Sequence, residues 1–254
     1  MSMTRQLPWI GATTDDGANA RGFRSLVSDL AETGWNIEAV APRRRWVSYG
    51  TALGAYPVGL LKNQMSFKKG EIAVLDLPPA AVARYLCQRL QARGAGSRSR
   101  SCVVVGVNHG PNVGENLIHS GTFGAAVVAS WLGFSAVAVS LDDVFSVDEA
   151  RPGPLQFRQA ARIARFAVNW ALSCRRSVLW NINVPNSVRV DKVKIEAAMP
   201  HKKACDGTGL RLDRDVLRQG KVAVTAFAAG SLCASESFSR RAARAIAVQW
   251  HRSQ

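Results

Sequence analysis

The chain has 254 residues, enough for one large domain or a domain with an extension, and its 47% hydrophobic and 20% charged content is that of a globular protein. With 33 Lys+Arg against 18 Asp+Glu the formal charge is +15, which favours anionic partners: phosphate esters, polyphosphate, nucleic acid or an acidic surface. Its five cysteines are scattered and odd in number with no CxxC pair, which argues against a disulfide scaffold or zinc knuckle and points to a reducing cytoplasm.

In chain order, Pro8–Thr13 reads as a strand and Phe23–Thr33 as a helix with Leu26, Val27, Leu30 and Ala31 on one face. Gly34 ends that helix, and Asn36–Ala41 is the next strand. A basic loop and a poorly patterned segment lead to a strand at Ile72–Leu75 and a helix at Ala80–Arg93. Gly94–Ser101 reads as a flexible basic loop, and Cys102–Val107 (CVVVGV) as a buried strand. Leu117–Leu141 lacks Asp, Glu, Lys and Arg, but Gly121, Gly124 and Gly133 divide it into a helix (Gly121–Leu132) and a strand (Ser135–Leu141), not a membrane span. Leu155–Cys174 is a long amphipathic helix and Ser177–Val184 a strand. Beyond about Arg189 the pattern weakens, before a strand at Val222–Phe227 and a basic helix at Ser239–Gln254. Strands alternating with helices predict an α/β fold, Rossmann-like and doubly wound, with a mostly parallel sheet. Ligands in such folds bind at the carboxyl ends of the strands.

Two motifs stand at such ends. TTDDG (Thr13–Gly17) follows the first strand, and its adjacent Asp15 and Asp16 repel each other unless a cation lies between them or one is protonated. They read either as a metal site or as a solvated turn. The second motif, VNHGPNVGENLIHSGTFGAA (Val107–Ala126), presents Asn108 and Asn112 in a rigid glycine-rich loop, then Ser120 before Gly121 and Thr122. Ser120 reads as a plain helix cap or as the start of an anion site made by free backbone N–H groups.

These motifs resemble those of the SurE (survival protein E) nucleotidase family, in which the first runs TNDDG and the second close to SGxNxGPNxGxxxxxSGT. WNINVP (Trp180–Pro185) is similar to the family's NVNVP strand, and LDRDVLRQGKVAVTAF (Leu212–Phe227) to its TDxxAxxxGxVSVTPL segment. The resemblance implies a divalent-metal-dependent phosphomonoesterase that hydrolyses nucleoside 5'/3'-monophosphates with water activated by Mg²⁺ or Mn²⁺. It assigns Asp15, Asp16 and Asn108 as metal-binding and catalytic residues, and places Asn112, Ser120, Gly121 and Thr122 against the phosphate. His119, beside that turn, is read as a proton donor to the leaving group or as a packing residue. The family's fourth ligand, a serine often followed by Gly, aligns without gaps to Val47, and Ser48 replaces it if the loop shifts by one residue. The family's GTPADCV segment is DLPPAAV (Asp76–Val82) here, and its TNDDG asparagine is Thr14.

The weakening pattern predicts a core over residues 1–190 and a C-terminal extension over 191–254, and the resemblance implies that this extension helps build a homodimer or homotetramer. Two rival functions remain: a phosphatase for a specialised non-nucleotide intermediate, towards which the altered Asp76–Val82 segment and Arg43–Arg45 point unless the latter are simply a solvated basic loop, and a catalytically weakened nucleotide- or nucleic-acid-binding relative. Nucleic acid is the less favoured partner, and a membrane is not expected.

Overall fold

The computed structural model describes residues 7–53, 63–67, 70–95, 101–145, 153–174, 176–186, 193–201, 207–228 and 231–253. The 190/191 division, most of the basic loop before Ser101 and Cys205 lie outside the described residues.

The elements are β1 (Trp9–Thr13), α1 (Arg21–Leu30), β2 (Asn36–Pro42), β3 (Asn63–Phe67), β4 (Gly70–Leu75), α2 (Pro79–Ala92) and β5 (Ser101–His109). A 3-10 turn (Gly114–Ile118) leads to α3 (Gly121–Trp131), β6 (Ser135–Asp142), α4 (Phe157–Ala171) and β7 (Leu179–Pro185). Then come β8 (Ile195–Met199), β9 (Arg211–Leu212), α5 (Asp213–Arg218), β10 (Val222–Phe227) and α6 (Glu236–His251). The ten strands form one sheet in the order β3-β4-β2-β1-β5-β6-β7-β10-β8-β9. From β4 to β7 neighbours run parallel, while β3 is antiparallel to β4 and β10 to β7. The α/β, mostly parallel architecture expected from the alternation is the one observed.

The strands of the middle are apolar on both faces because helices cover both. In β5, Cys102 and Val104 face the layer of α1, α4 and α6, whereas Val103 and Val105 face that of α2 and α3. The charge-free stretch has the same cause: every residue of α3 from Gly121 to Ser130 is buried. No helix among the described residues is long and apolar enough to cross a membrane.

Strand order reverses at β1 and β5. From β1 the chain winds outward through β2 and β4; from β5 it winds the other way through β6 and β7. The loops leaving β1 and β5 therefore diverge and leave a crevice between them. The β5–β6 register also shifts between Val105 and Asn108, an irregularity of the kind that re-aims side chains at the rim of a sheet.

Candidate functional site

Asp15 and Asp16 leave the end of β1, where the Thr14 hydroxyl accepts the Asp16 N–H at 3.1 Å and closes the turn. The Trp46 N–H donates to the Asp15 carbonyl at 2.8 Å, so the loop after β2 is pinned beside this turn. Asp15 is buried against the start of α3, where its Oδ2 accepts the Thr122 N–H at 3.1 Å and its Oδ1 the Thr122 hydroxyl. That approach needs Gly121, because a Cβ there would stand 2.9 Å from Asp15 Oδ2. Asp16 reaches the other way: Oδ2 accepts the His109 N–H at 2.9 Å, and Oδ1 pairs with Arg45 Nε at 2.8 Å. Asn108, at the end of β5, donates its amide N–H to the Gly110 carbonyl at 2.7 Å, and its Oδ1 has no hydrogen-bond donor among the described residues.

These residues line one cleft of about 380 Å³ with Val47, Ser48, Asn112, Asn116, His119, Ser120 and Gly121. The two sequence motifs, some ninety residues apart, thus meet in a single cavity. Within it the residues divide. Ser120 caps α3 through its hydroxyl, which accepts the Phe123 N–H at 3.0 Å. With the Thr122 N–H given to Asp15, Gly121 holds the one first-turn N–H with no partner among the described residues. Thr122, expected against the phosphate, is fully buried behind Asp15. Asn112 anchors its loop: its side chain donates to Ser140 Oγ at 2.8 Å, its N–H to Asn183 Oδ1 at 2.8 Å, and its carbonyl accepts from Asn181 and Asn183.

Burial pushes the Asp15 carboxyl up to about 6, and the charge of Asp16 adds to the rise; the Thr122 hydroxyl acts against both. A carboxylate that is hard to ionise beside a second carboxylate fits a site that takes up a cation. No group of three His, Cys, Asp or Glu among the described residues could hold a metal ion. The oxygens gathered here, two carboxylates and one side-chain amide, are of the kind that hard divalent cations take. Ser48 and Val47 both reach the cleft, and Ser48 stands at φ +61 in the left-handed region that favours glycine.

Three supports escaped the sequence. His109 lines the cleft and pairs through Nε2 with Asp143 at 2.7 Å. Asp213, at the start of α5, accepts the Gly114 N–H at 3.0 Å and so ties the C-terminal segment to the site loop. Asn181 and Asn183 stand as alternate polar residues in a strand of otherwise apolar character, a signal WNINVP did carry.

The family model "Survival protein SurE" matches residues 10–205. The chain is 36% identical over 176 residues to "5'-nucleotidase SurE" of Anaeromyxobacter dehalogenans (strain 2CP-C), and 29% over 176 residues to "5'/3'-nucleotidase SurE" of Proteus mirabilis (strain HI4320). In both cases the match covers 68% of this chain and 62% of the relative. Among solved structures, the SurE protein of Aquifex aeolicus superposes with a TM-score of 0.69 at 22% identity, over 89% of this chain and 95% of that one.

Proposed function

This chain belongs to the SurE family, and on that premise we propose that it is a phosphomonoesterase of nucleoside 5'/3'-monophosphates working with a divalent cation, Mg²⁺ or Mn²⁺. The observation that carries the reading is the meeting of Asp15, Asp16 and Asn108 with the Ser120–Gly121 helix start in one cleft at the strand-order reversal. Asp15, Asp16 and the Asn108 amide oxygen would hold the cation, and the cleft-lining Ser48 would offer a further hydroxyl oxygen. When bound, the cation supplies charge neutralisation at the phosphate and acidifies water.

The protein's own residues do the rest. The Gly121 N–H, at the positive end of α3, would bind a phosphate oxygen, while Ser120 keeps that end of the helix capped. His119 and His109 both line the cleft and are the candidates to hand a proton to the leaving alkoxide. Asn112 holds the loop that carries them in register with β6 and β7. Arg45, together with the DLPPAAV segment that begins α2 beside Gly121, favours a second reading: a phosphatase for a more anionic, non-nucleotide substrate. The C-terminal segment, with Leu232 and Phe238 exposed, is proposed to contribute to a homodimer or homotetramer, which sedimentation would size.

The test is hydrolysis of a panel of nucleoside monophosphates, sugar phosphates and polyphosphate with and without Mg²⁺ or Mn²⁺. Asp16→Asn should lower metal-dependent turnover at least ~100-fold, since it removes ligand charge. Turnover insensitive to metal and to Asp16→Asn would sink the reading.

A further inference from the structure

We infer that Arg45 and a divalent cation are alternative partners of Asp16, and that the arginine, once displaced, becomes the contact for the substrate's phosphate. The inference rests on the proposed metal-dependent reading of the same cleft. In the structure Arg45 Nε lies 2.8 Å from Asp16 Oδ1, inside the cleft, with the carboxylate side chain 8% exposed and the arginine 57% exposed. Asp16 is the fixed member of the pair. Its second oxygen is held by the His109 N–H and its own N–H by Thr14, so it cannot turn away. Arg45 is the mobile member: among the described residues its side chain has no other ion-pair partner, and its long exposed stem can swing. A cation bound at Asp16 Oδ1 and a guanidinium within 3 Å of that oxygen would be like charges in a partly desolvated cleft, so they exclude one another.

The loop keeps the displaced arginine useful. The Trp46 N–H bond to the Asp15 carbonyl pins the neighbouring residue to the site, so the Arg45 backbone stays at the rim whichever partner its side chain has. Arg44, by contrast, leans away, 3.7 Å from Asp76 and stacked over Trp46. With two carboxylates neutralised by a divalent cation, a phosphate dianion becomes the strongest anion left for the guanidinium, whose planar fork suits phosphate oxygens.

Calorimetry on the full chain separates this from a general effect of charge. Mn²⁺ alone is titrated into wild type, Arg45→Gln and Arg43→Gln, then inorganic phosphate into the Mn²⁺-loaded proteins. Arg45→Gln should bind Mn²⁺ roughly five-fold more tightly, as expected when an ion pair made by a half-exposed arginine no longer has to be broken. It should bind phosphate roughly ten-fold more weakly, as expected for a lost charge-assisted contact. Arg43→Gln removes the same charge from the same loop outside the cleft, and should move each constant less than about twofold. Unchanged or weaker Mn²⁺ binding by Arg45→Gln, or an equal effect of Arg43→Gln, overturns the exchange. Unchanged phosphate binding overturns the substrate role. A wild type that binds no Mn²⁺ overturns the proposed function as well, a result distinct from the others.

Discussion

Thr122 gives both its N–H and its hydroxyl to the Asp15 carboxylate on the floor of the cleft, so the residue after the helix start works on the acid and not at the cleft surface. Thr122→Val keeps the shape and the N–H but removes the hydroxyl from a buried charged acceptor. It should cost about 1–3 kcal/mol, read as a lower urea midpoint at unchanged slope. Gly121→Ala acts on the same acid by steric means, placing a methyl 2.9 Å from its Oδ2. The carboxylate must shift, and Mn²⁺ affinity should fall about tenfold or more, because ligand placement within a fraction of an ångström matters. Ser48 gives the opposite sign. At φ +61 a serine carries strain that glycine does not, so Ser48→Gly should raise the melting temperature slightly, by about 0.5 kcal/mol of stability. If Ser48 also holds the cation, the same variant loses Mn²⁺ affinity; if Val47 occupies the serine position, Val47→Ser gains it. At this scale, Asp15, Asp16, Asn108, Ser120 and Gly121 were legible because each sits at a local landmark: a strand end, a glycine loop, a helix cap. Arg45 on Asp16, His109 on Asp143 and Asp213 on Gly114 were not. Those pairs join residues 34 and 99 positions apart in two of the cases, and composition carries no trace of such contacts.

Among elements, the interior strands announced themselves as apolar runs because both of their faces are covered, and the helices as amphipathic stripes. The missed elements are all peripheral or short. β3 (NQMSF) is the outermost strand on one side, antiparallel to β4, and β9 is two residues long on the other. β3 carries only the short alternation Met65-Ser66-Phe67 and β9 is too short for any, since an edge strand has little to bury. β8 (IEAAM) and the six-residue α5 lie in the segment whose pattern weakens. Yet α5 begins with Asp213, which is fully buried and braces the site loop. Burial pushes its carboxyl from 3.8 up to about 7, against the lowering effect of the Gly114 and Arg214 N–H groups. The folded-state value lies above the unfolded one, so the protonated acid is the form the fold prefers. Its contribution is fully present below about pH 3.8 and is lost as pH rises through about 7. Asp213→Asn keeps an acceptor oxygen but cannot ionise. Its melting temperature should therefore gain on wild type as pH is raised from 4 to 8; a difference flat with pH would contradict this account.

At the scale of the whole molecule, the sequence suggests a core followed by an extension, and the residues after β7 are placed to complete the sheet. β10 pairs antiparallel with β7, from Ala223 opposite Asn183 to Phe227 opposite Leu179, and β8 pairs with β10 in turn. α6 packs on α4 and buries Ala242, Ile246 and Trp250 completely, the last edge-to-face with Phe166 at 6.0 Å between ring centres. Val222, Val224 and Ala226 share one apolar cluster with Phe23, Leu26 and Val27 of α1, so the core is continuous through the proposed boundary. A chain ending at Asn186 would leave β7 as an open edge and uncover the α4 face that α6 now seals. Such a truncation should lose its cooperative thermal transition and bind a hydrophobic dye. Trp250→Ala, which leaves the sheet intact, should cost about 3–5 kcal/mol as a large cavity opens in that face. The two measurements together discriminate between the arrangements. If the truncated chain melted cooperatively near the wild-type temperature and Trp250→Ala were silent, the C-terminal segment would be an appendage free to serve only assembly. If both lose stability as expected, any role of α6 in joining subunits must be carried by the side it leaves exposed, where Val248 stands 44% open to solvent.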